Sequence, residues 1–180
     1  MAGLKLEIVQ ELPFFSVEEE ALLNLMRTAD AMHRAFHRKT RDWGVTSTQY
    51  NVLRILRGAH PHGLTCSAIG ERMITAEPDI TRLLARLKAL KFVRQRRDQH
   101  DGRVVWTQIS ESGLRLLKEM DPVIQKAPIE LLGHLNKAEL AEFIRLLELA
   151  RRQSEDNPAP LSCTGERCAE GEAAAEATTT

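Results

Sequence analysis

Residues 80–110 read ITRLLARLKALKFVRQRRDQHDGRVVWTQIS, and the character of the pattern changes partway along. Ile80, Leu83, Leu84, Leu87 and Leu90 recur every three or four residues, the period of an amphipathic helix. Pro78 suits the first turn of that helix, where a missing N–H has no intrahelical acceptor to leave empty. Asp79, Arg82 and Arg86 fall on the other side, so the helix buries one face and offers a charged one. Residues 92–97 and 103–109 then read as two short strands, with DQHDG between them as a turn ending in Asp-Gly. Eight bases (Arg82, Arg86, Lys88, Lys91, Arg94, Arg96, Arg97, Arg103) and two acids (Asp98, Asp101) lie between Arg82 and Arg103. The local balance of +6 suits a polyanionic partner, although a run of charge is more often an ordinary solvated face.

Outward from this stretch the chain is helical. Upstream, Thr65 can cap a short helix reaching about Met73, after a loop at AHPHG, residues 59–63. Before the loop, Thr46 and Gln49 form a capping box that opens a helix through Tyr50, Leu53 and Leu56. A long helix is predicted over 16–42, capped by Ser16 and Glu19, with Val17, Ala21, Leu25, Ala29, Met32 and Phe36 at helical spacing. Downstream, Ser110 caps another long helix to about Leu132, with Leu114, Leu117 and Val123 at its core; Pro122 and Pro128 must kink or split it. Asn136 and Glu139 cap a last helix carrying Leu140, Phe143, Leu147 and Ala150 inside.

The order is mainly α with a small β-hairpin wing: a winged helix-turn-helix at about 46–110, flanked by long helices at about 16–42 and 110–152. Residues 1–15 form an N-terminal arm, 16–153 the folded domain, and 154–180 a tail. The flanking helices carry apolar stripes, and in so small a chain a matching copy is the simplest partner for them.

Composition narrows the function. The chain has 180 residues, 43% of them hydrophobic, enough for one compact domain. No apolar run approaches the roughly 20 residues that span a bilayer. The start, MAGLKLEIVQELPFF, lacks a secretory pattern, so a cytoplasmic chain with reduced cysteines is expected. The formal net charge of zero hides a division. The tail holds six acids and one base, so residues 1–153 carry a balance of +5. The tail is Pro-, Glu-, Ala- and Thr-rich, with too few large apolar residues to fold, and is expected to be disordered. No Ser/His/Asp ordering, phosphate-cradling glycine loop or close acid pair points to an enzyme, and no cofactor is implied.

Four pieces resemble the MarR family of bacterial transcription regulators: VTSTQYNVL (45–53), LTCSAIGERM (64–73), ITRLLARLKALKFVRQRRDQHDGR (80–103), and the pair Asp101 and Arg103 followed by VVWTQISESG. Together they stand in the family's order and spacing, and the resemblance spans about 16–152. One position departs from the pattern: Lys91 stands where the family usually has glycine, between recognition helix and wing. The resemblance implies a sequence-specific, ligand-responsive DNA-binding regulator, more often a repressor, that binds a pseudo-palindromic operator in double-stranded DNA as a homodimer. The alternatives are a sequence-tolerant architectural DNA binder and a redox-responsive regulator.

The residues expected at the DNA are Thr75, Ala76, Glu77, Asp79, Thr81, Arg82 and Arg86 around the recognition helix, and Arg94, Arg96, Arg97, Asp101 and Arg103 in the wing. Arg82 can fork onto guanine in the major groove, Arg86 is better placed for phosphate, and Arg103 can enter a narrow minor groove. Asp101 can hold the Arg103 guanidinium in position. The signal that such a protein senses is less legible. His37, Arg41, Trp43 and Tyr50 lie where the first two helices meet and can hold a small aromatic or phenolic effector, although Trp43 and Tyr50 also suit plain core. The family's peroxide sensors carry a reactive cysteine near the start of the dimer helices, whereas the first cysteine here is Cys66. Near a helix N-terminus its thiol can be activated, but a small buried hydrophobe is the commoner role. His33 and His37 stand i, i+4 but lack further ligands, so no metal site is assigned. Cys163 and Cys168 in the tail are read as passengers.

Overall fold

The computed structural model describes residues 3–155; α7 takes in 154 and 155, and the rest of the acidic tail, with Cys163 and Cys168, lies outside the described residues. The elements run α1 (Leu4–Glu7), α2 (Val17–Arg41), α3 (Ser47–Gly58), β1 (Leu64–Thr65), α4 (Cys66–Gly70), α5 (Ile80–Ala89), β2 (Val93–Arg97), β3 (Val105–Ile109), α6 (Glu111–Leu132) and α7 (Lys137–Glu155). The fold is mainly helical, with one small antiparallel sheet in the order β1-β3-β2.

The helix starts are fixed by side chains that satisfy N–H groups no carbonyl can reach. Thr46 Oγ1 accepts from the Gln49 N–H (3.1 Å) while the Gln49 Oε1 accepts from the Thr46 N–H (2.9 Å), a complete capping box. Asn136 and Glu139 repeat the arrangement at α7. Ser16, Thr65, Asp79 and Ser110 each accept from the N–H three residues on. Asp79 therefore precedes α5 as its cap, and the helix begins at Ile80 rather than at Pro78.

Lys91 closes α5 in the left-handed region, at φ 62°. The Phe92 N–H reaches back to the Leu87 carbonyl (3.0 Å) and the Lys91 N–H to the Lys88 carbonyl (2.9 Å), which together make a Schellman motif. That motif usually takes glycine, and a side chain there costs on the order of 1 kcal/mol. The Lys91 carbonyl is clamped by the hydroxyls of Ser110 (2.7 Å) and Ser112 (2.6 Å), so the surroundings impose the conformation. Gly113 sits beside them; a Cβ there would stand 2.4 Å from the Phe92 carbonyl oxygen, so only glycine lets α6 start this close to the wing.

The core belongs to the winged lobe. Val52, Leu53 and Leu56 of α3, Ile69 of α4, Leu84 and Leu87 of α5, and Leu117 and Met120 of α6 are all almost fully buried. Two ion pairs tie long helices together: Arg57 donates to both carboxylate oxygens of Asp121 (3.0 and 2.9 Å), joining α3 to α6, and Lys39 meets Glu130, joining α2 to α6.

Several expectations need correction. Of the kink or split expected at Pro122 and Pro128, the split does not occur: α6 is one helix from Glu111 to Leu132. Met120 and Ile124 join the lobe core and Ala127 is buried too, which anchors α6 where the prolines cannot donate. Val123 faces outward; Ile124 takes the buried position. In α7, Leu140, Phe143 and Leu147 are only half-buried and Ala150 is exposed, so this stripe is not inside the single chain. The arm contains a short helix, α1, with Leu4 buried. The wing's second strand starts at Val105, and the two-residue strand β1 pairs Leu64 with Thr107 and Thr65 with Trp106. Gly63 permits this approach at φ +82°, where a Cβ would lie 2.4 Å from the Thr107 carbonyl oxygen.

Candidate nucleic-acid interface

Helix α5 turns Ile80, Leu83, Leu84 and Leu87 into the core, which leaves Thr81, Arg82 and Arg86 exposed along the opposite side. The Asp79 carboxylate is occupied as the helix cap, accepting the Arg82 N–H at 2.8 Å. Thr75, Ala76 and Glu77 lie in the segment before the helix; Thr75 and Ala76 are exposed and Glu77 is half-buried. Cys66 opens the neighbouring helix half-buried, with its Sγ 4.0 Å from the Thr81 hydroxyl.

The wing is a two-stranded ladder in which Arg94 faces Gln108, Gln95 faces Thr107, Arg96 faces Trp106 and Arg97 faces Val105. Strand alternation puts Val93 and Thr107 toward the core and sends Arg94 and Arg96 to the outer face. Arg97 and Arg103 stand exposed at the two ends of the loop between the strands. Among the described residues, none of Arg82, Arg86, Arg94, Arg97 and Arg103 forms an ion pair. Their guanidinium groups keep their fork of donors available to an external anion.

Asp101 does not hold the Arg103 guanidinium. Its Oδ1 accepts from the Arg103 backbone N–H at 2.9 Å, so it shapes the turn. Two further residues emerge: Asp98, counted from the sequence only as charge, and Trp106, to which no role was assigned from the sequence. The Asp98 carboxylate accepts from the backbone N–H of His100 (2.8 Å) and Asp101 (3.2 Å) and from Trp106 Nε1 (2.9 Å). These bonds, the His100 N–H first, hold its carboxyl below the usual carboxylate range. The Arg96 guanidinium lies 5.8 Å from the centre of the Trp106 ring. The Asp-x-x-Asp spacing within RDQHD hinted at such a turn, but the Trp106 contacts depend on strand register.

The candidate effector residues sit at the α2–α3 junction. Tyr50 is buried, its ring centre 5.7 Å from that of Phe36, and burial pushes its phenol above the usual value. Trp43 is half-buried against the same core, His37 is half-buried and Arg41 is exposed. A cleft of about 560 Å³ opens elsewhere, lined by Arg54, Ile55, Gly58, Ala59, His62, Gly63, Leu64 and Arg72. His33 is engaged with the Ser47 hydroxyl (3.1 Å), and among the described residues no group of three or more His, Cys, Asp or Glu could hold a metal ion. No helix among the described residues is long and apolar enough to cross a membrane.

The comparisons with known proteins agree with this fold. A family model described as MarR family matches residues 43–104, from just before α3 to the end of the loop after β2. The HTH-type transcriptional regulator TtmR of Methylorubrum extorquens (strain PA1) is 31% identical over 106 residues, covering 59% of this chain. The match spans 53% of TtmR, about half its length. A MarR transcription factor from Planctomyces limnophilus is 38% identical, with 76% of this chain and 99% of that one covered and a TM-score of 0.60. Sco3205 of Streptomyces coelicolor, a MarR family regulator crystallised with DNA, shares the fold at a TM-score of 0.72 and 17% identity, with 84% of this chain and 97% of that one covered. The chain belongs to the MarR family of transcription regulators.

Proposed function

We propose that this protein binds a pseudo-palindromic DNA operator as a homodimer and represses transcription until a small effector releases it. The observation that carries the reading is the exposed cationic face: Arg82 and Arg86 on α5, with Arg94, Arg96, Arg97 and Arg103 on the adjoining wing. A major groove admits one α-helix, and the N-terminal half of α5 is the part free to enter it. Arg82 would read guanine there, with Thr81 beside it. Thr75, Ala76 and Glu77 would line the approach, and Arg86 would meet phosphate. The wing would track the adjacent backbone and place Arg103 in the minor groove.

The homodimer follows from the outer helices, whose apolar side chains this chain does not cover. Two copies of a 20.3 kDa chain give a particle of about 40 kDa. Two α5 helices related by a twofold axis would read half-sites about one helical turn, roughly 34 Å, apart. An aromatic or phenolic effector suits the α2–α3 junction, where Trp43 and Tyr50 offer flat apolar faces and His37 and Arg41 offer polar tips. Such a regulator works in the cytoplasm and needs no catalytic group.

Selection of duplexes from a random pool, followed by base substitution in the enriched site, tests the reading. A specific regulator enriches one palindromic sequence and loses about 1–3 kcal/mol per wrong base pair. Equal binding to all duplexes would replace it with the architectural alternative.

A further inference from the structure

We propose that Asp98 and Trp106 are positioning residues of the DNA reader, presetting the wing tip so that Arg96 and Arg103 meet DNA in one geometry. This inference rests on the DNA-binding reading above. Asp98 stands just past β2, and its own N–H donates to the Val104 carbonyl at 2.8 Å, closing the hairpin beyond the last ladder pair. Its Oδ1 gathers the His100 and Asp101 N–H groups, the arrangement of an Asx turn. Its Oδ2 takes the Trp106 indole N–H at 2.9 Å. One carboxylate thus fastens the turn to the opposite strand.

Each arginine depends on that fastening. The indole so oriented presents its face to Arg96, the residue directly across the ladder, with 5.8 Å between guanidinium carbon and ring centre. A cation on an aromatic face gives up rotamer freedom before it meets its target. On the other side of the turn, the Asp101 carbonyl accepts from the Val104 N–H (3.0 Å) and its carboxylate from the Arg103 N–H (2.9 Å). The backbone that carries Arg103 is therefore set by the turn that Asp98 builds. A wing ordered before binding loses less entropy on the DNA.

Charge and positioning predict opposite signs. Asp98 is an anion within a cluster of eight bases, so by charge alone its removal should tighten binding to a polyanion. Positioning requires the reverse. Asp98→Asn keeps an acceptor for the turn but sets an amide donor against the indole N–H, whereas Trp106→Phe keeps an aromatic face and deletes that donor. Both remove the same bond.

The experiment uses the full chain and a duplex of about 30 base pairs enriched by the wild type, at fixed salt. Asp98→Asn and Trp106→Phe should each weaken binding roughly threefold, and the double variant no more than the weaker single, while Asp98→Ala costs about tenfold. Melting temperatures should fall only slightly, because the bonds lost lie at the wing tip and no core residue changes. In the DNA-free protein, NMR should show faster amide exchange at His100 and Asp101 in Asp98→Ala and a shifted Trp106 indole resonance in Asp98→Asn. Tighter binding by Asp98→Asn, single effects that multiply in the double variant, or unchanged exchange at the wing tip would each overturn the inference. A wild type that enriches no duplex sinks the DNA-binding reading and this inference with it; a wild type that binds no better than Asp98→Ala sinks the inference alone.

Discussion

The winged lobe and the long outer helices are built from similar amounts of leucine, isoleucine and valine, yet they treat them in opposite ways. In the lobe, α3, α4, α5 and the start of α6 close over Leu53, Leu56, Leu84 and Leu87, which are 0–2% exposed. On the outer helices and the arm, Val17 is 80% exposed and Ile129 71%, and Phe15, just before α2, is 95% exposed. Leu22, Leu25 and Met26 of α2 and Ile144, Leu146 and Leu149 of α7 are exposed as well. So many large apolar side chains left exposed on the outer helices of a small protein suit a surface that meets a partner. The lobe completes its own core, and the outer helices carry half of one. The proposed DNA-reading and assembly surfaces thus fall in separate regions, linked through α6 by the Arg57–Asp121 and Lys39–Glu130 pairs.

The contrast can be broken most forcefully from the lobe side. Leu53→Ala should cost about 2–5 kcal/mol of folding stability, since the site is closed on all sides and the cavity cannot collapse freely. Urea unfolding measures this; a loss under 1 kcal/mol would mean that the lobe core is not self-sufficient. On the other side, Ile144→Glu with Leu149→Glu should leave the helical circular dichroism intact but dissociate the dimer at micromolar concentration. Sedimentation velocity decides the matter, and a dimer that persists would move the interface off α7.

A smaller effect separates reading from folding. Arg103→Ala should weaken operator binding by about 1–3 kcal/mol, at least as much as removing any other single wing base, with no change in melting temperature or assembly. If Arg94→Ala or Arg96→Ala fails while Arg103→Ala binds normally, the minor-groove role belongs to another arginine. Lys91→Gly should act the other way on the lobe, raising stability by up to about 1 kcal/mol by relieving the left-handed strain, while removing one base near the DNA. A melting temperature that falls instead would show that the lysine stem packs usefully there.

The smallest effect is on pH. The Asp98 carboxyl is held low by its bonds to the His100 N–H, the Trp106 indole and the Asp101 N–H, with Arg96 adding a little. A depressed carboxylate adds stability that is present above its unfolded value, about 4, and is lost as pH falls through the folded value. The wing tip should therefore stay ordered to below pH 4 and loosen only beneath that, followed by the Trp106 indole resonance. Loosening well above pH 4 would show that the Asp98 carboxylate is not what holds the turn.

What could be read directly from the chain was local. A cap spans three residues and a helical stripe four, so Thr46 with Gln49, Asn136 with Glu139 and the leucine spacing of α5 announce themselves from neighbours alone. The hairpin and the basic cluster are of the same kind, whereas the glycine-like position at Lys91 was visible only through the family resemblance. Wherever the outcome depended on residues far apart in the chain, sequence reasoning fell short. Pro122 and Pro128 read as a kink or a split because local hydrogen bonding says so, but the burial of Met120 and Ile124 in the lobe core accompanies an unsplit α6. Strand β1 is two residues long and exists only because β3 runs beside it. The bond from Asp98 to Trp106 needs Arg96 and Trp106 in register across the hairpin, and pattern alone does not set which residue faces which. Apolar periodicity likewise told which side of α2 and α7 is greasy, but whether that side is covered by the same chain or left for another is a property of three-dimensional packing.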